Sequence, residues 1–386
     1  MNVFPTLETL GKGEPADVDD PAIYLNPDDP SKSIVLTTLK SAGLVAYDLE
    51  GNEIQSISPP DTRYNNVDIV YDFKLGEEQV DLAVVSDRRN DNPVIYQIDP
   101  DTNRLTDITD PTVIDEDFSV FGVDNGSNTA YGLATYNSVV DGKSYVFTSQ
   151  LNGNQIAQLE LIDNGSGGVD AEVVRTLDVP GPETTVEGLV IDKETGELYA
   201  AQEDFGIFKY DAEVNGSNEA TIVDSVDGGS GELEDDIEGL TMYYRDNGEG
   251  YLLASSQGSD SYAVYDREGN NDILGSFTID DGNGIDGTQN TDGIDIIGRD
   301  LGGQFSEGLL VAQDGDNEND TTNLKFVSLQ DLENGVDFIQ LGTDEFDPRN
   351  PQPIDPDPDP DPDPDPILTP IPTPILTPIP ILETPK

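Results

Sequence analysis

A unit of three short apolar strands recurs along this chain and constrains its fold more than any other feature. In the unit that starts at Glu187-Gly188, a first strand is followed by the strand 198–202 and then by the strand 206–211. The unit occurs about six times with a period of roughly 50–60 residues, which is the range of propeller blades. The units begin at or near Asp20, Asp68, Tyr131, Glu187, Glu238 and Asp292.

Strand patterns dominate these units, and Asn, Asp and Gly separate the strands. Helical periodicity is weak, and only Ser328–Glu333 is expected to form a short helical turn. We therefore predict an all-β propeller whose innermost strands surround a central channel. Because most units start with an acidic residue next to glycine or proline, we expect carboxylates to gather at one mouth of that channel.

The charge of the chain restricts its partners. The sequence has 79 Asp and Glu against 18 Lys and Arg, a formal net charge of -61. Such a chain is repelled by nucleic acid and by anionic membranes. Carboxylates that converge on one place need cations, and a hard cation such as Ca²⁺ takes oxygen ligands.

Two missing residue types exclude further chemistry. The sequence contains neither Cys nor His. This excludes disulfides, thiol nucleophiles, His-based triads and ordinary zinc or copper sites. No apolar run reaches the length of a membrane-spanning helix. The start, Met1–Pro5, lacks the basic and apolar regions of a signal peptide.

The C-terminal segment differs from the rest of the chain. From Asp355 to Pro366 aspartate and proline alternate strictly, and Pro-rich phrases continue to Lys386. Proline at every second position prevents sheet and helix, and charge repulsion extends the chain. We predict a propeller domain over residues 1–349 and an Asp-Pro-rich tail over 350–386, which is disordered or tethers another domain or a surface.

Six longer phrases resemble the β-propeller phytases, also called alkaline phytases. The phrases are Asp19-Asp20-Pro21-Ala22-Ile23, Asn65-Asn66-Val67-Asp68-Ile69, Asp236-Ile237-Glu238-Gly239-Leu240, Tyr251-Leu252-Leu253-Ala254-Ser255-Ser256-Gln257-Gly258, Thr291-Asp292-Gly293-Ile294-Asp295 and Val311-Ala312-Gln313-Asp314-Gly315. The similarity covers roughly Asp17 to Arg349. It implies a six-bladed propeller that binds several structural and catalytic Ca²⁺ ions. It also implies a 3-phytase-type phosphomonoesterase that hydrolyses phytate, myo-inositol hexakisphosphate, by attack of metal-activated water.

The resemblance also implies roles for individual residues. Phosphate binding falls on Lys40, Arg88 and Tyr131. Catalytic positions fall on Glu187, Glu203, Glu238, Asp292 and Tyr131. Calcium binding falls on Asp20, Val67 (through its carbonyl), Glu187, Glu203, Asp236, Glu238, Gln257, Asp286, Asp292, Gln313 and Asp314.

The chain departs from the family pattern at two places. Ser41 stands where the family often has a second lysine after Lys40, and the stretch Ser149–Asn152 lacks a lysine that the family often has. The loss of two cations is expected to weaken contact with phosphates and to alter substrate preference. The calcium-binding residues are unaffected.

Three functions remain open from the residues. The first is a calcium-dependent phytase, for which the partners are phytate or calcium-phytate. The second is a calcium-dependent propeller lactonase or esterase, which would not need Lys40 and Arg88. The third is a calcium-stabilised propeller scaffold without enzymatic activity. The family resemblance favours the first, and with it an extracellular or cell-surface monomer without nucleic-acid partners or a membrane span.

Overall fold

The computed structural model of the protein describes residues 1–114, 118–122, 127–181, 184–317, 319–342 and 346–354. The chain divides into two units, Met1–Ile354 and Asp355–Lys386. The whole second unit lies outside the described residues. The expectations for the tail and for a domain boundary at residues 349 and 350 therefore stay predictions.

Six sheets, each of four or five strands, form the first unit, as expected for a six-bladed β-propeller. Two short strands lead the chain, β1 (Asn2–Val3) and β2 (Leu7–Glu8). Blade 1 contains β3 (Pro21–Tyr24), β4 (Ile34–Thr38), β5 (Leu44–Tyr47) and β6 (Glu53–Ile57). Blade 2 contains β7 (Tyr64–Leu75), β8 (Glu78–Asp87), β9 (Asn92–Asp99) and β10 (Arg104–Asp107). Blade 3 contains β11 (Ala130–Asn137), β12 (Ser144–Gln150), β13 (Gln155–Asp163) and β14 (Val169–Asp178).

The second half of the chain repeats this arrangement. Blade 4 contains β15 (Val186–Asp192), β16 (Glu197–Gln202), β17 (Gly206–Asp211) and β18 (Thr221–Ser225). Blade 5 contains β19 (Ile237–Tyr244), β20 (Gly250–Ser256), β21 (Ser261–Asp266) and β22 (Ile273–Ile279). Blade 6 contains β23 (Ile294–Ile297), β24 (Leu309–Asn317) and β25 (Thr321–Ser328). Four 3₁₀ turns are described at Pro30–Lys32, Asp246–Gly248, Gln257–Ser259 and Gly303–Phe305.

The N-terminal strands close the propeller, a question that the sequence leaves open. Strand β2 pairs antiparallel with β25 and becomes the outer strand of blade 6. Strand β1 pairs in parallel with β22 and adds a fifth strand to blade 5. Because the first strands complete the last sheet, the two ends of the propeller are joined by backbone hydrogen bonds.

The outer strand of each blade is missing from the three-strand units of the sequence pattern. Strand β6, for example, is half-buried or exposed along its whole length. An outer strand packs less against neighbouring blades, so its sequence carries no strong apolar signal. The predicted helical turn is confirmed as α1 (Leu329–Gly335), where the Ser328 side chain accepts a hydrogen bond from the Asp331 N–H. Within the described ranges, no helix is long and apolar enough to span a membrane.

The last described segment covers the ends of the inner strands that are farthest from the acidic residues. Phe346 stacks on Tyr244 of blade 5 with 3.7 Å between ring centroids. Arg349 lies over the Tyr71 ring at 4.5 Å and donates to Asp81 at 2.7 Å. A cavity of about 90 Å³ is lined by this segment and by the inner strands. The segment therefore packs on the ends of the inner strands opposite to the ends where the acid-glycine phrases lie.

Candidate active site

A β-bulge recurs in the innermost strand of blades 2 to 5, and it carries the candidate site residues. In blade 4, Val186 pairs with Gln202 and Leu189 pairs with Ala200, so Glu187-Gly188 stand opposite a single residue. A bulge re-aims side chains and is common beside active sites. The equivalent bulges hold Asn65-Asn66, Tyr131-Gly132, Glu187-Gly188 and Glu238-Gly239.

Glycine in these bulges permits a close approach between neighbouring blades. A Cβ atom on Gly188 would lie 2.1 Å from the Glu238 carbonyl oxygen of the next blade. Gly132 approaches the Glu187 carbonyl and Gly239 approaches the Asp292 carbonyl in the same way. Gly293, just before β23, approaches Asp20 of blade 1. The acid-glycine pattern of the sequence is therefore explained by packing: the glycine lets the next inner strand come close, and the acids of successive blades are brought together.

Three glutamates from two blades form a candidate metal cluster. Oxygen atoms of Glu187, Glu203 and Glu238 all lie within 4.8 Å of one another. Glu187 and Glu238 are buried, and Glu203 follows the end of β16. The Asn65 side chain donates to Glu187 Oε1 at 2.8 Å, which ties blade 2 to the cluster.

A second group at the mouth surrounds Lys40. The Lys40 ammonium lies 3.1 Å from Asp292, 3.2 Å from Asp17 and 3.7 Å from Asp19. Asp19 is 1% exposed, and neither of its carboxylate oxygens accepts a hydrogen bond. Gln257 donates to Asp292 Oδ1 at 2.9 Å. A single lysine thus balances several acids in this group, and Asp19 keeps free lone pairs.

Arg88 and Tyr131 form a pair beside these acids. The Arg88 guanidinium lies 4.8 Å from the centre of the Tyr131 ring, a cation–π contact. Its Nη1 donates to Asn65 Oδ1 at 3.2 Å. Among the described residues, Arg88 forms no ion pair with a carboxylate, so its positive charge remains available to an anion.

Four of the remaining predicted metal ligands lie in the channel, in the Lys40 group or at the surface. The Val67 N–H donates to Asp20 Oδ2 at 3.1 Å, and both residues line a channel cavity of about 50 Å³. Gln313 accepts from the Asp292 N–H at 2.8 Å, so it belongs to the Lys40 group. Asp236 is exposed, and its carbonyl accepts from the Gln257 N–H at 2.8 Å.

Asp286 and Asp314 lie around Lys325 of blade 6. The Lys325 side chain is fully buried, and its Nζ lies 2.5 Å from Asp286, 2.6 Å from Glu8 and 3.2 Å from Asp314. An ammonium group therefore already pairs with both aspartates. The contact with Glu8 also anchors β2, the strand that closes blade 6.

The structure adds residues to the site that sequence reasoning does not assign. Asp17 and Asp19 contact Lys40, and Asn65 joins Arg88 to Glu187. Alignment of the repeats could have revealed Asn65, because Asn65-Asn66 occupies the bulge that holds Glu187-Gly188 in blade 4. Asp17 precedes the first strand of the unit, and no repeat signal marks it.

Burial and neighbouring carboxylates raise the pKa values of acids at the mouth. Burial, followed by the charges of Glu187 and Asp236, raises the pKa of Glu203 to about 8. Burial also raises the pKa of Asp19, Glu238 and Asp292. These carboxylates repel one another in the metal-free protein and favour the protonated form.

This repulsion leads to a testable pH dependence. Glu203 stabilises the metal-free fold fully only below its unfolded pKa, about 4.3, and this stabilisation is lost as the pH rises through about 8. In chelator, we expect the melting temperature to fall between about pH 5 and pH 8.5. In calcium we expect the fall to be absent, because a cation bound at the three glutamates would neutralise their charge. Thermal unfolding followed by circular dichroism in both buffers measures the difference.

Glu203→Gln provides the matched variant for this experiment. It should reduce the pH slope in chelator, since one titrating carboxylate is removed. Equal slopes with and without calcium would contradict a shared cation at the three glutamates.

Known proteins resemble this chain in sequence and in fold. The sequence profile of the family described as Phytase matches residues 1–352. A 3-phytase of Bacillus subtilis (strain 168) is 40% identical over 331 residues, which covers 84% of this chain and 82% of that protein.

A solved structure of regucalcin, a calcium-binding protein of Agrobacterium tumefaciens, is similar with a TM-score of 0.52 and 11% identity. The similarity covers 85% of this chain and 96% of the other. That likeness supports the fold alone. The profile match and the 40% identical relative establish that the chain belongs to the phytase family.

Proposed function

We propose that this phytase hydrolyses phytate by a calcium-dependent reaction at the acidic mouth of its propeller. Membership of the family makes the chain a phosphoric monoester hydrolase and implies a metal-dependent one. One observation carries the proposal: three glutamates lie within 4.8 Å of one another beside Lys40 and Arg88. A site for cations and a site for phosphate therefore adjoin.

The donor set at the mouth fits calcium. Its side chains offer carboxylate and amide oxygens, and the sequence has no Cys or His that would favour a softer metal. The buried Asp19 carboxylate accepts no hydrogen bond and lies 3.7 Å from the Lys40 ammonium, which Asp17 and Asp292 share, so its oxygens can still bind a further cation. Glu187, Glu203, Glu238, Asp292 and Asp19 would hold the ions, with Asp236 and Gln257 at the edge and Asp20 and Val67 in the channel.

Calcium also resolves an electrostatic conflict. The chain carries a formal charge of -61, and phytate is densely anionic. Direct encounter is repulsive, most strongly at low salt. Bound calcium would bridge the carboxylates to phosphate oxygens, stabilise charge on the transferring phosphoryl group and activate the attacking water.

Lys40 is held as a permanent cation in this site. Burial acts to lower its pKa, but the carboxylates of Asp19 and Asp292 raise it well above its ordinary value. The ammonium therefore stays charged across the working pH range. It can bind a phosphate oxygen and orient the phosphate against the carboxylate-bound cations.

Arg88 serves as the second phosphate ligand. Tyr131 supports one face of the guanidinium, and Asn65 accepts from Nη1, so the group is oriented before substrate binds. A planar guanidinium of this kind can bind two phosphate oxygens at once. Tyr131 stays neutral, because burial and nearby carboxylates raise its pKa well above the ordinary value.

Phosphate release from phytate tests this function. The wild type should release phosphate in calcium and lose activity in chelator, and re-addition of calcium should restore it. Arg88→Ala should lower kcat/KM for phytate about 10- to 100-fold, since a charge-assisted hydrogen bond is lost. Arg104→Ala, an exposed change on the outer strand of blade 2, removes the same charge and should have little effect.

The outcome also separates the alternatives. Lactone turnover without phosphate release would support the lactonase, and the absence of both activities would support the scaffold. Full activity in chelator would contradict the proposed role of calcium.

The cellular setting and assembly are part of the same proposal. We infer that the enzyme acts outside the cell or at its surface as a monomer, and that the tail serves as a tether. The family resemblance supports the location, and the alternation of Asp and Pro from Asp355 to Pro366 supports the tether. Light scattering on the full chain tests the monomer, since a mass other than 41.6 kDa contradicts it.

A further inference from the structure

Asn65 is a fully buried asparagine that contacts both the glutamate cluster and Arg88. It lies in the bulge of β7 and is 0% exposed. Its Nδ2 donates to Glu187 Oε1 and to Asn66 Oδ1 at 2.8 Å each, and its Oδ1 accepts from Arg88 Nη1 at 3.2 Å. A buried amide is costly unless its polar atoms are hydrogen-bonded. Both ends of this amide are used, and each end contacts a different candidate site residue.

These contacts determine the orientation of the Asn65 amide. If its oxygen and nitrogen exchanged places, the oxygen would face the Glu187 carboxylate and the NH₂ group would face the Arg88 guanidinium. Acceptor would then meet acceptor and donor would meet donor, so a single orientation satisfies the neighbours. Glu187 Oε1 and Arg88 Nη1 are therefore held at opposite ends of one planar amide group.

The absence of charge on Asn65 matters for Arg88. A carboxylate in this place would bind the guanidinium more strongly, but it would neutralise the charge that attracts phosphate and would repel Glu187. The Lys40 ammonium, in contrast, lies within 3.7 Å of three aspartates. Arg88 Nε is buried and has no acceptor in the part of the chain that the structure describes. Asn65 thus orients the guanidinium and leaves it its charge.

We propose that Asn65 is a positioning residue that couples the cation site to the phosphate site. Its amide sets the spacing between Glu187 and Arg88, so a phosphate bound by Arg88 meets a cation bound by Glu187 without rearrangement of either side chain. Asn65 acts through these two residues and takes no part in the chemical step. The inference rests on the proposed roles of Glu187 and Arg88.

A double-mutant cycle with Arg88→Ala tests this coupling. The probe is myo-inositol hexasulfate, which carries sulfates in place of phosphates, and calorimetry measures its binding in calcium. Asn65→Ala should weaken binding about 5- to 10-fold in the wild-type background. In the Arg88→Ala background the loss should be less than about twofold, because the arginine through which Asn65 acts is gone. Asn137→Ala is the matched control: it removes an asparagine that donates to the Tyr71 carbonyl at 2.7 Å, and binding should be unchanged.

Asn65→Asp separates positioning from a general structural role. Aspartate has the same shape and still accepts from Arg88, but it adds a negative charge. It should weaken hexasulfate binding at least as much as Asn65→Ala. It should also tighten calcium binding to the metal-free protein about threefold, because a further carboxylate attracts the cation. A residue that only supported the fold would not shift the two affinities in opposite directions. This variant also serves as the test if Asn65→Ala does not fold.

Two results would overturn the inference. One is an undiminished effect of Asn65→Ala in the Arg88→Ala background, and the other is wild-type hexasulfate affinity in Asn65→Asp. For phytate in calcium, kcat/KM should fall in the same order as the hexasulfate affinities. If the wild type binds hexasulfate in calcium but releases no phosphate from phytate, the proposed function fails, while the cycle still tests Asn65.

Discussion

Glu187→Gln is expected to lower phosphate release from phytate by about 10²- to 10³-fold, the largest effect on activity expected of a single substitution here. Glu187 lies in the bulge of β15, is buried, and has a carboxylate oxygen within 4.8 Å of oxygens of Glu203 and Glu238. The glutamine amide is similar in size but carries no charge and presents a single acceptor oxygen. Calcium should therefore bind more weakly, and half-maximal activity should need a higher calcium concentration.

Two controls make the result specific to the cation site. Glu160→Gln removes an acid on β13 that pairs with Lys143 at 2.8 Å, and activity should be unchanged. In chelator, Glu187→Gln should melt at or above the wild-type temperature, because one of three repelling carboxylates is gone. A variant that keeps wild-type activity and calcium dependence would remove Glu187 from the site.

Arg267→Met is expected to have the largest effect on stability, a loss of about 3–5 kcal/mol in the free energy of unfolding. Arg267 follows β21 in blade 5, and it donates to both oxygens of Asp192 in blade 4, at 2.6 and 2.7 Å. Both side chains are almost fully buried. Removal of the guanidinium leaves a buried carboxylate without its cation, and the contact between two blades is lost. The melting temperature should fall by about 5 °C.

The double variant Arg267→Met with Asp192→Asn tests the cause. The amide of asparagine still accepts from the Glu194 and Thr195 N–H groups, as Asp192 does, but it has no buried charge. The double variant should therefore be more stable than Arg267→Met alone. If both variants lose equal stability, the loss comes from the lost contacts with Tyr244 and Glu194 rather than from the unpaired charge of Asp192.

The inner part of the propeller was predictable from the sequence because its strands are apolar and periodic. All six units correspond to blades, and the turn at Ser328 begins α1. The outer strands were not predictable in the same way, since β6, β10 and β18 are largely exposed or half-buried and lack a run of buried apolar residues. The closure by β1 and β2 depends on pairing between residues more than 270 positions apart, which no local pattern encodes.

The candidate site was likewise only partly predictable from the sequence. The acid-glycine phrases mark Glu187 and Glu238, and the family resemblance adds Lys40 and Arg88. Asp19 and Asn65 lie in phrases that the sequence singles out, yet their contacts become visible only when blades 1, 2, 4 and 6 meet at the channel. Asp286 and Asp314 are grouped with the other acids by resemblance, but the structure places Lys325 between them.

The sequence by itself determined the repeat, the excess of acids and their positions at the heads of strands, because local patterns and composition carry that information. Only the tertiary structure decided which of the 79 acids share one site and which pair with a lysine or arginine. The physical reason is that bulges and glycine contacts between neighbouring blades set the distances between carboxylates. Those distances determine whether an acid is neutralised by an internal cation, as around Lys325, or lies close to other carboxylates, as Glu187, Glu203 and Glu238 do.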